Sequence, residues 1–235
     1  MKNFHITIAL LALTRSVLAQ GTVNFIGVPG GEITVQTNST QYSPFFGGGS
    51  NPSGSIGYIR GAVTNGTGFY FSLVYQSFTG VQALQPTTLS QLSAWSDSGL
   101  GGVNYSPTFG TIECLPQNNM ATVPWATGTT DSTMIVIWSQ NLGSTFASAL
   151  ANMENQDYSS PAFFGETTTG YIAPSPSGSP GADVFGNGSQ SPNGLPINSH
   201  NTQLYLLPAP VPEPATVALA AGGTLALLIL RRRKP

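Results

Sequence analysis

Few side chains of this 235-residue chain could serve as a nucleophile, a general base or a metal ligand. The chain has two histidines, His5 and His200, and one cysteine, Cys114. A Ser–His–Asp or Cys–His site needs an imidazole beside its nucleophile, and no G-x-S-x-G segment is present to pair with His200. We interpret His200 as a solvated loop residue, with a Cys114–His200 dyad as the alternative. His5 lies in the N-terminal segment that we predict to be removed, which leaves one cysteine and one histidine. These two cannot complete a zinc site, so we expect no metal and no cofactor.

Glu154 and Asp157 lie close enough in sequence to suggest glycoside hydrolysis, which uses a pair of carboxyl groups. They fall at the end of a predicted helix, whereas catalytic carboxylates usually come from facing strands or loops. We therefore interpret them as a solvated helix end. The sequence predicts no catalytic residue and a protein that is not an enzyme, with a glycan-active hydrolase as the less favoured alternative.

Aromatic residues offer a different chemistry, because sugars stack their apolar faces on aromatic rings and bond to nearby polar groups. Trp95 and Trp125 stand in polar contexts and are the candidate sugar-stacking residues. Packing in the core is the competing interpretation for any one aromatic residue. A carbohydrate-binding module is therefore an alternative function, and it predicts exposed, coplanar rings.

The elements that would position these residues are mostly strands bounded by turn residues. Residues 56–63 and 69–76 flank the turn at 65–68 and predict a hairpin. Residues 133–138 are apolar on both faces and predict a central, fully buried strand. One helix is predicted from a cap at Ser144 or Thr145 to about Asn155, since apolar residues recur there at helical spacing, at Phe146, Ala149, Leu150 and Met153.

The remaining segments complete an all-β pattern. Residues 41–55 and 173–196 are rich in Gly, Pro, Ser and Asn and predict long loops. Further short strands are predicted at residues 22–28, 33–37, 110–115, 121–125 and 203–207. Many short strands with one helix predict a β-sandwich of a jelly-roll-like type.

The N-terminus has the three parts of a secretory signal peptide. Lys2 provides the positive charge, residues 6–13 a short apolar segment, and Val17-Leu18-Ala19 a small-residue site before Gln20. The sequence predicts cleavage between Ala19 and Gln20 by signal peptidase.

The C-terminus combines a proline-bracketed acid, an apolar segment and a basic end. The two prolines hold the acid extended, as a processing enzyme requires. The motif consists of Val211, Pro212, Glu213, Pro214, Ala215 and Thr216. Residues 217–230 carry no charge and predict a short transmembrane helix. The basic residues should stay on the cytoplasmic side as a stop, and they are Arg231, Arg232, Arg233 and Lys234.

This order of parts resembles the PEP-CTERM sorting signal of exported Gram-negative proteins, a tail also described as an ice-binding protein C-terminal domain. The resemblance covers 25 of the 235 residues. It implies a membrane-anchored precursor that an exosortase-like enzyme recognises at Pro212, Glu213 and Pro214. It further implies a mature protein at the cell surface or outside the cell, in the envelope or matrix, with a link to exopolysaccharide and biofilm.

Between the signal peptide (1–19) and the sorting signal (211–235), residues 20–210 form an exported domain long enough to bury a core. Arg60 is its only Lys or Arg against eight Asp and Glu, which gives a formal charge of −7. One cation cannot make the several phosphate contacts that nucleic-acid binding needs. The expected partners are therefore the processing enzymes, the membrane and a polysaccharide.

Overall fold

The computed structural model describes residues 20–25, 35–46, 57–59, 68–104, 112–115, 120–177, 179–186, 193–198 and 202–209. Fifteen strands fall within these residues. In chain order they are β1 Gln20–Asn24, β2 Val35–Tyr42, β3 Gly57–Tyr58, β4 Phe69–Ser77, β5 Ser96–Asn104, β6 Ile112–Leu115, β7 Ala121–Ala126, β8 Asp131–Ser139, β9 Phe163–Glu166, β10 Gly170–Ile172, β11 Ala182–Asp183, β12 Phe185–Gly186, β13 Gly194–Leu195, β14 Ile197–Asn198 and β15 Thr202–Leu206. The helices are α1 Leu89–Leu92 and α2 Phe146–Asn155, with 3-10 turns at Pro44–Phe46 and Gln140–Leu142.

One large sheet organises the described part of the chain. Its strands run in the order β3-β2-β15-β9-β8-β4-β5-β6, and β10 pairs with both β8 and β13. A smaller sheet has the order β11-β1-β7, and β12 pairs with β14. Neither of these sheets is closed within the part of the chain that the structure describes.

Strand β8 is the centre of the large sheet. All nine of its residues are buried. One edge pairs with β4 over the full length of both strands, from Phe69 opposite Ser139 to Ser77 opposite Asp131. The other edge pairs first with β9 and then with β10. The prediction of a central buried strand at 133–138 is confirmed.

The two faces of β8 pack into different hydrophobic clusters. Ile135 and Ile137 join a cluster that also contains Val23 of β1 and Val123 of β7, so the small sheet covers this face. Met134, Val136 and Trp138 join a second cluster formed with Leu92, Trp95, Phe146, Ala149 and Met153. The helices therefore cover the opposite face, which makes three layers rather than the two of a simple sandwich.

Helix α2 forms where the sequence predicts it. The Thr145 side chain accepts from the Ser148 N–H, and the Ser148 hydroxyl accepts from the Thr145 N–H, which completes a capping box. Phe146, Ala149 and Met153 lie buried on one side of the helix. The helical prediction and its apolar face are confirmed.

Three other predictions differ from the structure. The hairpin of 56–63 with 69–76 is wrong, because β3 pairs with β2 and both edges of β4 are taken by β5 and β8. The loop at 41–55 begins later, since β2 continues to Tyr42. The loop at 173–196 contains short strands, among them β11 and β12, whose Ala182 and Phe185 are buried.

Strand β5 has a composition, Ser-Asp-Ser-Gly-Leu-Gly-Gly-Val-Asn, that gives no strand signal. Gly101 is required by close packing, because a Cβ there would lie 2.4 Å from the Phe71 carbonyl oxygen on β4. The mostly β fold is confirmed, while the jelly-roll-like connectivity stays a prediction.

Within the described residues, no helix is both long and apolar enough to cross a membrane. The predicted signal peptide and the predicted transmembrane segment at 217–230 both lie outside those residues.

We predict that Met153→Ala lowers the free energy of unfolding by about 2–5 kcal/mol, because it removes a fully buried side chain between α2 and the large sheet. Urea titration followed by tryptophan fluorescence measures the change. Met120→Ala is the matched control, since Met120 is 43% exposed. Equal effects of the two substitutions would contradict the packing of α2 described here.

Candidate ligand-binding cavity

The two tryptophans expected to stack on sugars are both buried. Trp95 is 5% exposed and packs under the helices with Leu92 and Met134. Trp125 is 6% exposed, and its ring stacks on Tyr75 at a centroid distance of 4.8 Å. Neither indole presents a face to solvent, so the structure disagrees with this assignment; core packing is what holds both rings.

The carboxyl pair considered for hydrolysis lies on the surface. Glu154 and Asp157 are exposed at the C-terminal end of α2. The Asp157 N–H donates to the Asn152 carbonyl at 2.9 Å, which is a normal helix-end contact. This placement agrees with a solvated helix end.

Several predicted residues lie outside what the structure describes. These are Ala19, His200, and all of the sorting motif and basic stop at 211–216 and 231–234. Gln20 is described and begins β1. Cys114 is described only as a backbone position of β6, paired with Gly102 of β5.

A cavity of about 350 Å³ opens beside β9 and β15. We call it the Glu166 cavity, after the one carboxylic acid that lines it. Its lining consists of residues 43–45, 85–87 and 164–168, with Asn198, Thr202, Gln203 and Tyr205. This volume is at the lower end of the range for small-molecule sites.

The cavity forms where the partner of β8 changes from β9 to β10. Glu166 is the last residue of β9 and stands opposite Val136. Past it, the Thr167 N–H donates to the Ile135 carbonyl at 2.9 Å, and the Ile135 N–H donates to Thr167 Oγ1 at 3.0 Å. A side-chain hydroxyl thus replaces a strand carbonyl, and the chain turns away from the sheet without leaving the Ile135 N–H unpaired.

Glycine at position 165 lets β9 and β15 approach closely at this point. A Cβ there would lie 2.1 Å from the Gln203 carbonyl oxygen. The approach brings Gln203 and Tyr205 of β15 to the same cavity as Glu166.

Hydrogen bonds tie the remaining walls together. Gln85 Nε2 donates to the Thr167 carbonyl at 2.7 Å, and Thr168 Oγ1 donates to the Asn198 carbonyl at 2.5 Å. The Ser43 N–H donates to the Leu206 carbonyl at 2.9 Å, which fixes the turn that carries Phe45. The lining therefore comes from four separate chain segments held in place before any ligand binds.

Glu166 is the carboxylic acid among the described residues that line the cavity. Its Oε2 atom is buried and has no hydrogen-bond partner. Burial raises the pKa of Glu166 from 4.5 to about 8, because removal from water disfavours the carboxylate. The described residues include no Lys or Arg that could pair with it.

Aromatic side chains form part of the wall. The rings of Phe45 and Phe164 contact each other with centroids 5.6 Å apart. Phe164 is buried, whereas Phe45 and Tyr205 are half-buried. Burial raises the pKa of Tyr205 above its ordinary value of 10, so its hydroxyl stays protonated at neutral pH.

The described walls of the cavity can therefore hold a small polar ligand without supplying positive charge. A protonated Glu166 both donates and accepts, and a deprotonated one accepts strongly. From the sequence, Glu166 was one of eight acids in residues 20–210 with no predicted role. Its position two residues after the apolar run Ala162-Phe163-Phe164, with Gly165 between, was the available signal for burial.

We predict that Glu166 makes the protein less stable as pH rises. Its folded-state pKa is above the unfolded value, so its contribution is fully present below about pH 4.5 and is lost as pH rises toward 8. The expected fall between pH 5 and pH 8 is on the order of 3 kcal/mol. Urea unfolding of wild type and Glu166→Gln at a series of pH values isolates the contribution of Glu166 to the free energy of unfolding, because glutamine at position 166 cannot ionise.

Glu154→Gln is the control, since Glu154 is exposed. It should keep the wild-type pH profile. A Glu166→Gln profile parallel to wild type would show that Glu166 ionises normally in the folded protein.

Comparison with known proteins gives one match, at the C-terminus. Residues 210–234 match the model of the PEP-CTERM protein-sorting motif. No curated protein and no solved structure matches the chain. The family match confirms the resemblance of the tail. The chain thus carries the PEP-CTERM sorting signal of exported, exosortase-targeted proteins.

Proposed function

We propose that this chain is a non-enzymatic component of the cell envelope or extracellular matrix, linked to exopolysaccharide and biofilm. The observation that carries the proposal is the sorting motif at residues 210–234, which follows directly on the β-rich domain. Its charge-free segment holds the precursor in the membrane, and Arg231, Arg232 and Arg233 keep the end cytoplasmic. The domain is then released or transferred at or near Pro212-Glu213-Pro214.

Two further observations support this route and role. Strand β1 begins at Gln20, the residue expected to follow signal-peptide cleavage. Residues 20–210 contain a single histidine, and Glu154 and Asp157 lie exposed on a helix end. A structural or adhesive domain needs neither an activated nucleophile nor paired acids.

Changing Pro212, Glu213 and Pro214 to alanine should block processing, because alanines no longer hold the motif extended. We expect the larger precursor to accumulate in the membrane fraction and the mature form to disappear from the surface and medium. Immunoblotting of cell fractions measures both species.

Pro176→Ala with Pro180→Ala is the matched control, since both prolines are exposed and lie in the folded domain. This double variant should be processed as wild type is. A normal mature product from the triple-alanine variant would mean that the motif does not direct processing.

A carbohydrate-binding module is the second candidate, now based on the Glu166 cavity rather than on Trp95 and Trp125. The cavity combines half-buried rings, Phe45 and Tyr205, with amide and hydroxyl side chains that suit a hydroxylated ligand. Its walls are fixed by the hydrogen bonds of Gln85 and Thr168, which lowers the cost of ordering on binding.

Phe45→Ala should weaken binding to the polysaccharide of the producing cells about tenfold, because it removes a ring from the cavity wall. Phe46→Ala is the matched control: Phe46 is adjacent and half-buried, and it does not line the cavity. Pull-down with purified polysaccharide measures binding. Equal effects of both substitutions, or no binding by wild type, would refute this second candidate.

A further inference from the structure

An unpaired acid inside a cavity requires an explanation. Glu166 lines the cavity, and its Oε2 atom is buried without a hydrogen-bond partner. No side-chain cation is present among the described residues to neutralise it. Glu166 as a whole is half-buried, and a carboxyl oxygen buried without a partner costs free energy, so packing alone does not account for it.

We propose that the Glu166 cavity binds an amino sugar through its free amine, with the Glu166 carboxylate as the counter-ion. This inference rests on the second candidate function, carbohydrate binding, and identifies the class of sugar. The ammonium group would donate to the Glu166 carboxylate at the cavity wall, and the hydroxyls of the sugar would face the polar walls.

The charge of the domain favours a cationic ligand over a neutral or acidic one. Residues 20–210 carry one cation and eight acids, so the surrounding field attracts positive charge and repels uronic acids and phosphates. A charge-assisted hydrogen bond is roughly twice as strong as a neutral one. The half-buried rings of Phe45 and Tyr205 also accept a cation at their faces.

Ionisation of Glu166 links binding to pH. With a pKa of about 8, about one Glu166 in ten is ionised at pH 7 and about one in a hundred at pH 6. Since pairing with an ammonium requires the carboxylate, affinity for the protonated amine should rise about tenfold from pH 6 to pH 7. The amine of an amino sugar itself titrates near neutral pH, so the observed rise is smaller than tenfold.

Among the described residues, the other titratable groups closest to Glu166 do not mimic this dependence. Tyr205 on β15 is neutral over the interval, because burial raises its pKa above 10. Asp131 on β8, whose pKa burial also raises, stands five positions from Val136, the residue opposite Glu166. Five strand positions correspond to roughly 17 Å.

Three ligands that differ only at C2 test the proposal on the full chain. They are short oligomers of glucosamine, N-acetylglucosamine and glucose, titrated by calorimetry at pH 6 and pH 7. We expect the glucosamine oligomer to bind at least tenfold more tightly than the other two at pH 7. At pH 6, where Glu166 is mostly protonated and the amine mostly charged, binding should release a proton from Glu166, measured as a dependence of the heat on the ionisation enthalpy of the buffer.

Glu166→Gln should abolish both the preference for the amine and the pH dependence, whereas Glu154→Gln should change neither. Circular dichroism checks the fold of both variants, and the three-ligand comparison on wild type stands independently of them. Equal, pH-independent binding of all three sugars would overturn the amine assignment and leave carbohydrate binding in place. No binding of any sugar would overturn both.

Discussion

The fold depends on strand β8 being satisfied on both edges and buried on both faces. A strand in this position must pair all of its backbone groups within the protein, because no water reaches them. Strand β4 provides one complete edge, and β9 and β10 share the other. The apolar side chains of β8 then determine the layers. Ile135 and Ile137 are buried under the small sheet, and the side chains on the other face are buried under the helices.

The cavity is a consequence of the same constraint. Strands β9 and β10 pair with successive parts of the same edge of β8, and residues 167–169 connect them. Thr167 pairs with Ile135 there, so the sheet tolerates the irregularity. Glu166, held half-buried at the end of β9, has no Lys or Arg near it among the described residues, and burial shifts its pKa toward neutrality.

Sequence patterns predicted the elements whose signals are local. The helix cap at Thr145, the apolar face of α2 and the run of buried residues in β8 each come from neighbours along the chain, and all three are confirmed. The predicted hairpin was wrong because a strand can pair with a segment far away in sequence, and a local pattern does not record that partner. Strand β5 was missed because Gly101 meets a packing requirement of β4, at the Phe71 carbonyl, that no local pattern records.

By itself, the sequence determined which sorting signal this protein carries. The sorting motif is a linear signal, so the order of its residues suffices for its recognition, and the family match at 210–234 agrees. Composition likewise determined the acidic character of the domain, since charge is a sum over residues. Only the tertiary structure decided that Trp95 and Trp125 are core residues and that Glu166 lines a cavity. Burial depends on what the rest of the chain places around a side chain, and segments far apart in sequence surround each of these three.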